Sequence, residues 1–101
     1  MEAQLQSMVV DLAKWCGYMC YHPHDSRRSV PGFPDLTMVH TRNGRLIFVE
    51  LKSEKGRIRP EQKVWLELLG RHHEAYVWRP IHWTNGTIRA TLTAETRRAV
   101  A

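Results

Sequence analysis

Asp35, Glu50 and Lys52 are the residues of this 101-residue chain whose types and spacing suit chemistry. Fifteen positions separate the two acids, and Asn43-Gly44 lies between them. On either side the sequence reads as strand, from Asp35 to His40 and from Arg45 to Lys52. Asn-Gly tolerates positive φ and is a strong signal for a tight hairpin turn. Closing that hairpin sets the start of the first strand beside the end of the second, so Asp35 comes near Glu50 and Lys52. Glu50 and Lys52 share one face of their strand, roughly 6.6 Å apart along it, and Leu51 points the other way into a core. Two carboxylates and an ammonium thus converge at one end of a hairpin. Like charges that close repel, and a divalent cation is the commonest reason to keep them together.

Pro34-Asp35 followed by Glu50-Leu51-Lys52 resembles the PD-(D/E)xK nuclease signature. The fuller string resembles the VRR-NUC family within that superfamily. It comprises Pro31-Gly32-Phe33-Pro34-Asp35-Leu36, Phe48-Val49-Glu50-Leu51-Lys52, then Arg59-Pro60-Glu61-Gln62 and Trp65. The likeness runs from about Glu2 to about Trp83. It implies a DNA endonuclease that hydrolyses phosphodiester bonds with Mg²⁺ or Mn²⁺ as cofactor. Asp35 and Glu50 are then the metal's carboxylate ligands, hard oxygens for a hard cation. The backbone carbonyl of Leu51, between the two functional side chains, is the expected third. Lys52 orients or deprotonates the attacking water. By the same likeness Gln62 assists the active-site strand, and Glu2 is the acid that an N-terminal helix supplies to the metal. Stand-alone members of the family are small proteins, many encoded by phages, and look like dimeric resolvases of four-way junctions. A homodimer acting on branched DNA is therefore expected, in the host cytoplasm if the chain is phage-encoded. Trp78, Ile81 and Trp83 offer apolar material for a dimer interface, or pack under the C-terminal tail. A non-catalytic DNA-binding module and an RNA-directed nuclease are the competing classes.

Composition sets the frame. One domain spanning residues 1–101 is long enough for a modest core. An apolar fraction of 43% argues against disorder, and a net charge of +5 suits a polyanion such as nucleic acid. Neither a transmembrane run of roughly 18 apolar residues nor a signal-peptide pattern is visible, so the expectation is a cytoplasmic protein with no membrane partner. Cys16 and Cys20 read as buried thiols rather than a disulfide or a zinc site, because their spacing with His22 and His24 fits no standard pattern.

The elements that must position the site follow from periodicity. Leu5, Met8, Val9 and Leu12 make Glu2–Trp15 an amphipathic helix. Tyr18–His22 reads as a strand ended by Pro23. The loop that follows carries Arg27 and Arg28, placed to meet phosphate. Lys55, Arg57 and Arg59, in the charged loop after Lys52, are further candidates for DNA contact. Pro60 opens a helix to about Leu69, with Val64, Trp65, Leu68 and Leu69 as its buried face and Gly70 as its cap. Glu74–Arg79 reads as a fourth strand, with Arg79 adding positive charge, and Thr93 as the cap of a short last helix. The order α-β-β-β-α-β predicts an α/β fold, a mixed four-stranded sheet flanked by helices. That matches the core of restriction-endonuclease-like folds.

Overall fold

The computed structural model describes residues 2–23 and 30–94. Helix α1 (Glu2–Trp15) is followed by strands β1 (Tyr18–Tyr21), β2 (Leu36–His40) and β3 (Leu46–Leu51). Helix α2 (Pro60–Gly70) leads to β4 (Glu74–Trp78), and two short helices follow, α3 (Pro80–Thr84) and α4 (Thr87–Thr93). The strands form one sheet in the order β1-β2-β3-β4, antiparallel except for the parallel pair β3–β4 that α2 connects. The sheet is mixed and flanked by helices, as the element order predicts.

Alternation along the strands sends Leu36 and Met38, then Ile47, Val49 and Leu51, to one face. Leu5, Val9 and Ala13, four residues apart on α1, cover that face. Ile88 and Leu92 of α4 and Trp78 of β4 complete this core. Strand β3 is buried on both faces, because Phe48 and Glu50 lie under the other layer. Phe33 meets Phe48 and Trp65 edge to face there, and Gln62 of α2 reaches Glu50.

Several expectations are corrected. The buried seam of α2 runs through Gln62, Trp65, Leu66 and Leu69, whereas Val64 and Leu68 are more than half exposed. A glutamine at the first seam position hides the apolar stripe from hydropathy. Gly70 is the last helical residue rather than a cap, and Arg71 caps α2 in a right-handed conformation. Thr93 ends α4 instead of opening a helix, while residues 95–101 lie outside the described ones. Of the two alternatives for the 78–83 segment, Trp78 takes the packed one: it is a core residue, 2% exposed, alongside Ile88 and Leu92 of α4, while Trp83 is partly buried against the core.

Candidate active site

The β2–β3 register pairs Leu36 with Val49, which sets Asp35 opposite Glu50 at the hairpin's open end. At its closed end the connection is four residues, 41–44, rather than a two-residue turn on Asn43-Gly44. The Gly44 amide donates to the His40 carbonyl at 2.9 Å, and Asn43 Oδ1 accepts from the Arg45 amide at 2.9 Å. Gly44 takes the positive φ of 73° and Asn43 does not. The register survives because the backbone pairing continues to His40 and Arg45.

Asp35 is half-buried, and its Oδ2 accepts the Leu51 amide at 2.8 Å. Glu50 is 2% exposed. Its Oε2 accepts from Gln62 Nε2 at 2.8 Å and lies 3.4 Å from Lys52 Nζ. Gln62 Oε1 in turn accepts the Arg59 amide at 2.8 Å, so one amide links the start of α2 to the acid on β3. Glu50 Oε1 is buried with no hydrogen-bond partner among the described residues. Asp35, the Glu50–Lys52 pair on β3 and Gln62, three stretches separate in sequence, thus meet at one point.

Electrostatics mark the same point. Burial pushes the Glu50 carboxyl up to about 7, the Asp35 charge pushes the same way, and Lys52 opposes both. Asp35 is also raised, first by burial, against the Leu51 amide and Lys52, with the negative charge of Glu2 adding to the rise. Two carboxyls strained toward protonation in a cleft are a frequent mark of a functional site.

Other predicted residues stand apart from this centre. Glu2 is exposed in the first turn of α1, and its negative charge acts on Asp35. Among the described residues no three acidic, histidine or cysteine side chains gather as a metal-holding group. Lys55, Arg57 and Arg59 are exposed, with Arg59 Nε 3.5 Å from Glu61 Oε2. Arg27 and Arg28 lie outside the described residues.

Sequence reads Arg79 as one more surface charge, and the structure corrects this. Its Nη1 donates to the carbonyls of Ser53 at 2.6 Å and Gly56 at 2.7 Å, which fastens the loop directly after Lys52. Nothing in the local sequence could reveal it, since the acceptors are backbone atoms 23 and 26 residues away.

The VRR-NUC domain family matches residues 4–79, most of the chain and all of the paired-acid centre. The chain belongs to the VRR-NUC family. This makes it a nuclease domain of the PD-(D/E)xK type, a class that generally uses divalent metals. A solved VRR_NUC domain is 24% identical, with a TM-score of 0.70 over 87% of this chain and 94% of that one. A second, a VRR_NUC domain protein, is 19% identical, with a TM-score of 0.60 over 91% and 89%. Both show that the VRR-NUC fold is shared. No curated protein matches the chain.

Proposed function

We propose that this VRR-NUC domain is an endodeoxyribonuclease that needs Mg²⁺ or Mn²⁺. The observation that carries the reading is Glu50 Oε1, a buried carboxylate oxygen without a partner, opposite a second carboxylate raised by burial. An oxygen left unsatisfied in a low-dielectric site is costly unless a cation completes it. The donor set fits a hard divalent ion. Asp35 and Glu50 would hold it, with the Leu51 carbonyl as a third donor, and when bound it activates a water and neutralises phosphate charge.

The chain's own groups do the rest. Gln62 pins Glu50 through Oε2, which leaves Oε1 as the unpaired oxygen. The Leu51 amide pins Asp35. Lys52, 3.4 Å from Glu50, carries the ammonium that donates to the attacking water or to a phosphate oxygen. A guanidinium anchor at Arg79 keeps the loop after Lys52 in place. Lys55, Arg57 and Arg59, exposed on and beside that loop, would meet DNA phosphates, as would Arg27 and Arg28. Glu2, whose negative charge reaches Asp35, is the acid that the N-terminal helix could add to the pair.

The proposal extends to branched DNA cut by a homodimer in the cytoplasm, on the resemblance to small stand-alone family members. Ile81, 47% exposed, and the partly buried Trp83 are what the 78–83 segment offers an interface. No helix among the described residues is long and apolar enough to cross a membrane. Digestion of labelled junction, flap, duplex and RNA, with and without Mn²⁺, tests the activity. The expected outcome is Mn²⁺-dependent cleavage of DNA, fastest on the junction. Asp35→Ala and Glu50→Ala should each lose it while still binding DNA. Near wild-type cleavage by either variant would show that the site is misassigned. Sedimentation equilibrium at micromolar concentration should return twice the monomer mass.

A further inference from the structure

Beside Asp35 lies a cleft of about 360 Å³ whose walls come from separate segments. Gln6 of α1, Pro23 and Pro31, and Arg59 and Glu61 at the start of α2 are among the residues that line it. Contacts within the chain hold its walls in place. Trp65 Nε1 donates to the Pro31 carbonyl at 3.2 Å, and Gly32 lies so close to α2 that a Cβ there would stand 2.6 Å from the Glu61 carbonyl carbon and oxygen.

We propose that this cleft receives one unstacked nucleobase next to the scissile phosphate, an inference that rests on the nuclease reading. Size argues for a single base, since pockets of roughly 300–1,000 Å³ enclose a small ligand and this one is at the low end. Charge argues against a phosphate. Asp35 and Glu61 both line the cleft, two carboxylates against the one guanidinium of Arg59, which lies 3.5 Å from Glu61. A neutral ring with donors and acceptors on its edge is the nucleic-acid component that suits such a lining. The Gln6 amide both donates and accepts, and the two proline rings supply apolar surface for the ring face. Asp35 belongs at once to the cleft and to the metal-holding pair, so the occupant is a neighbour of the phosphate being cut.

The consequence is a mechanism of substrate choice. Extracting a base from a duplex costs a few kcal/mol, and least where the base is already unpaired. An enzyme that must seat one base before cutting prefers branch points, flaps and frayed ends over continuous duplex. No motif for reading a particular sequence is required.

The test is a scan on the DNA side, which leaves the protein intact. Cleavage positions on a four-way junction are first mapped in Mn²⁺. Abasic sites are then placed singly at each nucleotide flanking the cut, and binding is measured by anisotropy in Ca²⁺. One flanking position should weaken binding roughly 5- to 100-fold, the range for losing a stacked base, and 2-aminopurine there should brighten on binding as it leaves the stack. Gln6→Trp fills the cleft, so this variant should bind the intact and abasic junctions equally. Circular dichroism establishes that it is folded, and if it is not, the wild-type scan decides alone. Uniform affinity across the scan, with cleavage intact, would overturn the base-binding cleft and leave the nuclease reading standing. Failure to cleave any DNA in Mn²⁺ would overturn both.

Discussion

Glu50 is held where a carboxylate is least comfortable, buried beside another acid with one oxygen unpaired. Its carboxyl is raised to about 7 in the folded chain, against an ordinary glutamate value of about 4.5. The folded state therefore binds this proton more tightly than the unfolded chain does. In metal-free buffer this contribution to stability is present below pH of about 4.5 and is lost as pH rises through about 7. Glu50→Gln removes the charge while keeping an oxygen for Gln62 to bond. Urea denaturation in EDTA at pH 5 and pH 8 should show the variant gaining on wild type by about 2–3 kcal/mol between them. Glu74, held below the usual carboxylate range by Arg45, titrates in both proteins and cancels from the difference. Adding Mn²⁺ at pH 8 should restore stability to wild type and not to the variant.

Between elements, two residues do much of the positioning. Gly32 has φ of 92°, and its Cα faces the backbone of Glu61 with no room for a methyl group. Gly32→Ala must strain the turn or push α2 away, and with α2 moves Gln62, the partner of Glu50. A loss of about 2 kcal/mol in thermal or urea unfolding is expected, with a fall in kcat larger than the change in DNA affinity. Arg45 is the other. Its guanidinium grips Glu74 through two bonds of 2.7 Å and donates to Tyr18 Oη at 3.1 Å and the Thr91 carbonyl at 2.8 Å. It joins β1, β3, β4 and α4 at the end of the sheet away from the site. Removing one partner of a largely buried ion pair leaves the other unsatisfied, so Arg45→Met should cost about 2–3 kcal/mol by denaturation. Because this network lies far from Asp35, cleavage at low temperature should change little.

At the scale of the molecule, the fold concentrates negative charge in a small centre and leaves positive charge around it. The net charge is +5, yet the acids Asp35, Glu50 and Glu61 all lie at or beside the site. On the proposed nuclease reading, affinity for DNA comes from the exposed rim, including Lys55 and Arg57 on the loop that Arg79 fastens. Replacing both with alanine should reduce the slope of log K against log salt by about 2, near 0.9 for each lost phosphate contact. Measured by anisotropy across a salt series, the weakening should be the same for all sequences. An unchanged slope would take these two residues out of the interface.

The pairing of Asp35 with Glu50 is legible in the chain because a hairpin is local. Strand alternation and a turn signal settle which residues face each other, even though the turn is four residues long. The helix–strand order is equally legible, since each element declares itself by its own period, and the string around the two acids carries the family. Gln62 is indicated by that resemblance alone. Its contact with Glu50 depends on how α2 lies over β3, and the stripe of α2 that meets the sheet begins with a polar residue that hydropathy discounts. Arg45 and Arg79 cannot be told from solvated charges in the sequence, because their partners are 23 to 49 residues distant and mostly backbone carbonyls. Val64 is misplaced by sequence, and Trp78 is left between two alternatives, for a different cause. Period says which residues share a face, but only the packing of layers decides which face is covered. The cleft beside Asp35 belongs wholly to the tertiary structure, for its walls come from segments that meet only when α1, β1 and α2 close around the Pro31-Gly32 turn.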